Sequence, residues 1–111
     1  ALPVAWLRQV KPTVQVRSGD KSWQNARERT RLRFGDHVRA GQNGKTVIQF
    51  NNGTYFVLRS GTQMQLVSPA TSNRPLVVRV FGALSEVFVH ARGGVEIRTA
   101  AGTAAVRGTQ Y

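Results

Sequence analysis

Between Leu32 and Leu66 the chain is cut by Gly35-Asp36, Asn43-Gly44, Asn52-Gly53 and Ser60-Gly61, one turn signal every 8–9 residues. That rhythm leaves no room for a helix of ordinary length and suits short antiparallel strands. Between the turns apolar residues alternate. Ile48 and Phe50 share a face with Gln49 opposite; Phe56 and Leu58 share a face with Tyr55, Val57 and Arg59 opposite; Met64 and Leu66 oppose Gln63 and Gln65. Successive strand side chains point to opposite faces, so the stretch predicts a half-buried meander.

The same grammar extends outward. Thr13–Arg17 alternates, with Val14 and Val16 inward, and Ser18-Gly19-Asp20 is its turn. Leu76–Phe81 is β-branched and reads as a central strand. Glu86–Ala91, Val95–Thr99 and Thr103–Arg107 follow, separated by Gly-containing turns. Residues 67–75 form the longest loop, rich in Ser, Thr, Asn and Pro. The expectation is an all-β single domain of nine to eleven short, mostly antiparallel strands, arranged as a barrel, a sandwich or a solenoid-like meander. Residues 1–12 read as an N-terminal extension packed on a core of 13–111, with Val4, Trp6 and Leu7 against the body. At 111 residues the chain is long enough to bury a core without metal or disulfide, and it has no Cys to make either from thiolates.

Charge is lopsided: 16 Lys and Arg against 5 Asp and Glu, net +11. Such a field favours acidic partners, whether nucleic acid, anionic headgroups, acidic polysaccharide or protein, and does not choose among them. The sharpest local feature is Ala26–Phe34. As a strand it sets Arg27, Arg29, Arg31 and Arg33 on one face, about 6.6 Å apart, a spacing that could engage successive anionic groups. As a helix the arginines scatter and no apolar stripe forms; the strand fits better from Thr30 onward. A row of this kind is either a binding surface for an anionic polymer or partner, or a solvated edge charged against aggregation.

Other chemistry is thin. His37 and His90 stand apart, no Gly-x-Ser-x-Gly elbow occurs, and Glu28, Glu86 and Glu96 sit among arginines that can pair with them. Gly41-Gln42-Asn43-Gly44-Lys45-Thr46 ends like a phosphate-binding loop but lacks the first glycine and runs into a strand. Asp20 and Asp36 read as turn caps, and Gly35, Gly44, Gly53, Gly61, Gly93, Gly102 and Gly108 as suppliers of positive φ. Neither catalysis, a cofactor nor a metal is expected.

The closing stretch, Val95 to Thr109, resembles the terminal signature of the FecR domain through Thr99, Gly102, Val106, Gly108 and Thr109. Tyr111 stands where the family commonly has Phe, and Ala100 where it has Pro. Leu32, Gly35, Asp36, Val38, Gly41, Gly44, Val47, Gly53, Thr54, Gly61, Thr62 and Met64 match the family's opening run, and Val80, Gly82 and Leu84 its middle segment. Asn52 replaces the usual Asp and Ala40 the usual Thr. The resemblance covers about 13–111. It implies an extracytoplasmic β-module, periplasmic or secreted, that relays a signal through a protein partner in the cell envelope, as in iron-uptake sigma-factor regulators. The regulator's sigma-binding segment, transmembrane helix and transducer-docking domain have no counterpart in these 111 residues, so either an excised domain or a stand-alone secreted member fits, and Ala1-Leu2-Pro3 reads equally as a mature end or a chain boundary. A structural module of a larger assembly fits the same features.

Overall fold

The alternating pairs found in the sequence become the two inner faces of a sandwich. A computed structural model describes residues 4–82 and 84–107. Twelve strands form among them: β1 (Ala5–Lys11), β2 (Val14–Ser18), β3 (Gln24–Asn25), β4 (Arg31–Leu32), β5 (Asp36–Ala40), β6 (Lys45–Phe50), β7 (Tyr55–Arg59), β8 (Gln63–Ser68), β9 (Leu76–Phe81), β10 (Val87–His90), β11 (Gly94–Thr99) and β12 (Gly102–Arg107). They make a five-stranded sheet ordered β10-β7-β6-β1-β4 and a seven-stranded sheet ordered β12-β11-β9-β8-β5-β2-β3. All pairings are antiparallel except β9 with β11. The all-β single domain is as expected, and the sandwich is selected over barrel and solenoid because each sheet order stays open. Strands β3 and β4, of two residues each, take the count past eleven.

Ile48, Phe56, Leu58, Met64 and Leu66 are fully buried, and with Leu7, Val38, Val78, Val89 and Ile97 they form one core between the sheets. Burying a side chain of this size contributes about 1.5–3 kcal/mol, and this two-sided layer dominates stability.

Three expectations need correction. The first is the meander. Within Leu32–Leu66 only β6 and β7 form a sequential hairpin; β5 pairs with β2 and β8 instead. The chain changes sheets between β5 and β6 and again between β7 and β8. The two corners are stapled to each other and to the β1–β2 connection. The Gly41 amide donates to the Thr13 carbonyl (2.8 Å), the Ser60 amide to the Gly44 carbonyl (3.2 Å), and the Gly61 amide to the Ala40 carbonyl (2.9 Å).

The second concerns Gly44. It does not take positive φ; Asn43 does, at 66°. Gly44 is required because a Cβ there would lie 2.5 Å from the Thr13 carbonyl oxygen. Gly35, Gly53, Gly61, Gly93 and Gly102 do have positive φ. Asp36 closes its turn as read: its carboxylate accepts from the Arg33 amide at 2.9 Å. Gly108 and Thr109 lie outside the described residues.

The third is the N-terminal segment. Ala5–Lys11 is not laid on the body but is an interior strand, paired with β6 on one side and β4 on the other. Leu7 is fully buried, Trp6 half-buried and Val4 exposed. The apolar residues at positions 5 and 7 supply the inward face that places β1 there.

Candidate functional site

The arginine row does not survive as a row. Only Arg31 lies in a strand. Residues 27–30 make a turn, with Arg29 at φ 72°. The Thr30 hydroxyl donates to the Arg27 carbonyl (2.7 Å), and the Thr30 amide donates to the same oxygen (3.2 Å). The turn is docked on β1: the Arg29 amide donates to the Leu7 carbonyl (2.7 Å) and the Leu7 amide to the Thr30 carbonyl (2.9 Å). Two backbone bonds to an interior strand and one hydroxyl outweigh the extended alternation that the sequence offered. Arg27, Arg29, Arg31 and Arg33 are all exposed, yet the uniform spacing between Arg27 and Arg33 is broken.

The outer face of the five-stranded sheet brings together residues the sequence reading had not joined. Its register sets Trp6, Gln49, Tyr55 and His90 in one cross-strand line, and Gln9, Val47, Val57 and Phe88 in the next. Leu7, Ile48, Phe56 and Val89 occupy the opposite, buried face, so the pleat turns these two lines outward. Tyr55 stacks on His90 (5.0 Å, 20°) and lies 6.3 Å from Phe88. A bulge in β1 between Leu7 and Gln9 frees Arg8, whose guanidinium covers the Tyr55 ring at 4.7 Å and donates to Gln49 Oε1 at 2.9 Å. Val47, at 3% exposure, is buried on this outer side. His90 Nδ1 is buried without a hydrogen-bond partner.

One step further along the strands, Lys11, Lys45 and Arg59 stand directly opposite one another on β1, β6 and β7. Arg31 faces Trp6 at the other border. None of the strands in this sheet contains Asp or Glu. The result is an apolar and aromatic centre framed by cations.

The outer face of the seven-stranded sheet is different. Arg17, His37, Gln65, Arg79 and Arg98 form one cross-strand line, and Gln15, Arg39, Gln63 and Phe81 the next. Here three of the cations, Arg17, Arg39 and Arg98, have partners, although Arg17 Nε is buried without a hydrogen bond. Trp23 is half-buried under two guanidinium groups, Arg39 at 4.0 Å and Arg17 at 5.1 Å from its ring. Arg39 also donates to Gln15 Oε1 (2.6 and 2.9 Å), and Arg98 pairs with Glu96 (2.8 Å). The Gln63 amide donates to His37 Nδ1 (3.2 Å). Burial, then the Arg17 charge, hold the His37 pKa below its ordinary 6.5; Arg79 adds to the lowering and Asp36 opposes it. Among the described residues no three His, Cys, Asp or Glu converge on a metal-sized site, and no helix is long and apolar enough to cross a membrane.

The sequence carried a signal for the first face. Strand β7 is apolar on both sides, with Phe56 and Leu58 against Tyr55 and Val57. In a two-layer fold one of those sides must face outward. What could not be read was that Phe88 would be laid beside it and Trp6 on the same face one strand beyond β6.

Comparison with known sequences adds one finding. The family model described as FecR protein matches residues 36–111. The chain belongs to the FecR family. The match takes in β5 to β12 of the FecR sandwich and the closing Thr99–Thr109 signature, and begins after β1–β4. FecR proteins are in general signal regulators, a regulatory and not a catalytic family, typically associated with the cell envelope. No curated protein and no solved structure matches the chain.

Proposed function

We propose that this FecR domain is a non-enzymatic, extracytoplasmic interaction module that relays a signal by binding a protein partner in the cell envelope. Family membership over residues 36–111 carries the reading. The outer face of the five-stranded sheet supports it, because an apolar, aromatic centre within a charged rim is how protein interfaces are built. The test is protease accessibility of the full-length gene product in cells whose outer membrane has been opened. The domain is expected to be digested while cytoplasmic markers are protected; co-protection with those markers overturns the extracytoplasmic role.

A second reading rests on a separate observation, the exposed Arg27, Arg29, Arg31 and Arg33 beside a net charge of +11. These would hold an anionic polymer such as surface polysaccharide or nucleic acid. Binding of such a polymer would then weaken steeply with salt, and changing Arg29 and Arg31 to Ala would reduce both affinity and salt slope. Unchanged affinity and slope eliminate it.

A further inference from the structure

We infer that the outer face of the five-stranded sheet is the docking surface, and that its occupant is an acidic protein surface seated on Trp6, Tyr55 and Phe88. The inference rests on the relay reading and adds to it the place and the chemistry of the partner.

The charges give the first reason. Like charges directly opposite on neighbouring strands are destabilising, and Lys11, Lys45 and Arg59 place three in one line. Nothing in the sheet offsets them: its strands hold no carboxylate, and the one ion pair among the described residues, Arg98 with Glu96, lies on the other sheet. Glu86 precedes β10 near the end of this line and makes no ion pair with Arg59. Carboxylates from outside the domain remove the repulsion on binding, and guanidinium and ammonium groups at a rim steer such a partner.

The aromatic residues give the second reason. Trp, Tyr and Arg are the residues on which binding energy concentrates when they sit at the centre of a patch, and here Tyr55 meets Arg8 and Phe88, with Trp6 on the same face across Gln49. The unpartnered Nδ1 of His90 lies at the border of the same patch.

Other occupants fit less well. Single-stranded nucleic acid needs free ring faces for its bases, whereas Tyr55 already carries the Arg8 guanidinium and the His90 ring. A bilayer needs protruding apolar groups. Of the exposed large hydrophobics among the described residues, Phe81 at 41% lies on the other sheet and Val4 at 43% lines a hollow with Phe34, Phe50 and Leu76, while the rings of this patch lie half-buried. A second copy docked through the same face brings the same cations and, in the strands of that sheet, no carboxylate.

The two tryptophans make the inference testable, since Trp6 reports the five-stranded face and Trp23 the seven-stranded one. The isotope-labelled 111-residue chain is titrated with a soluble Glu–Tyr copolymer, and the indole N–H signals are followed by NMR. Saturable movement of the Trp6 signal, with Trp23 unmoved, is expected. Lys45→Glu weakens binding about tenfold, Lys45→Arg preserves it, and Arg79→Ala, on the outer face of the other sheet, leaves it unchanged. A footprint on Trp23, or no saturable binding, overturns the inference. So does a Trp6 footprint produced by single-stranded DNA or anionic vesicles but not by the copolymer. These outcomes separate from the relay reading. A protease-accessible domain that ignores the copolymer loses the face and keeps the relay; a cytoplasmic domain that binds it at Trp6 keeps the face and loses the relay.

Discussion

Replacing Gly44 by Ala isolates the corner that switches the chain between sheets. The added Cβ meets only backbone: the Thr13 oxygen at 2.5 Å, and the nitrogen and oxygen of Gly41 at 3.1 Å. No side chain can rotate away, so the corner itself must open. Overpacking of this kind costs about 1–3 kcal/mol. Opening also stretches the bond from the Gly41 amide to the Thr13 carbonyl, 2.8 Å in the native corner, worth about another 1 kcal/mol. A total near 3 kcal/mol, with a urea slope of about 1.5 kcal/mol per M, lowers the unfolding midpoint by roughly 2 M. Tryptophan fluorescence in a urea titration reads it, with Gly41→Ala and Gly19→Ala alongside. At Gly41 the new Cβ comes no nearer than 3.3 Å to the same oxygen; at Gly19 it meets open space, and only φ of 58° opposes it. Gly41→Ala is expected to cost about 1 kcal/mol and Gly19→Ala about 1–2 kcal/mol. A Gly44→Ala chain within about 0.5 kcal/mol of the parent, or no worse than Gly19→Ala, refutes close approach as the reason for this glycine.

Three further outcomes are expected. The fully buried Thr54 hydroxyl accepts from the Arg92 amide (2.9 Å) and donates to the Arg92 carbonyl (3.2 Å), so Thr54→Val costs about 2 kcal/mol in the same titration and Thr54→Ser much less. Arg29→Val, favourable in a strand but strained at φ 72°, costs more than about 1 kcal/mol, whereas Arg29→Gly is neutral or stabilising; a neutral Val restores the extended arginine row. Because the His37 pKa is lowered on folding, the unfolded chain takes up the proton first; stability is full above 6.5 and falls as pH drops through that value toward the lowered folded-state one. His37→Gln flattens unfolding midpoints between about pH 7.5 and 5.5, and an unchanged slope assigns the effect to other groups.

How much was legible follows from which interactions are local. Alternation is local, and it put Ile48, Phe50, Phe56, Leu58, Met64 and Leu66 on the side the structure buries. Turn chemistry is local too, and the Asp36 carboxylate closes its turn as its position suggested. Sheet membership is not. Nothing in Asp36–Ala40 says that β5 joins β2 and β8 while its neighbour β6 joins β1 and β7. The arginine segment was misread for the same reason. Alternating Arg and other residues fits a strand locally, and the bonds that bend it come from Leu7, some twenty residues earlier. The aromatic patch needed Trp6, Tyr55 and Phe88, residues that share a face only once the five-stranded sheet has formed. The setting of Trp23 is equally non-local: its arginine neighbours at 17 and 39 arrive through the β2–β5 pairing.

The interior place of β1 has a consequence for how the domain comes into being. The strand's main partner lies about forty residues further along the chain. Ala5 pairs with Phe50 and Lys11 with Lys45, so β1 must wait for β6 before its backbone is satisfied. β7 waits in turn for Val87–His90. Pairings this distant make for folding in milliseconds to seconds, and until then Trp6, Leu7 and Val10 travel uncovered. A chain delivered from its N-terminus therefore carries β1 unpaired until β6 has followed it, and a holding chaperone in whichever compartment receives it has an evident segment to grasp.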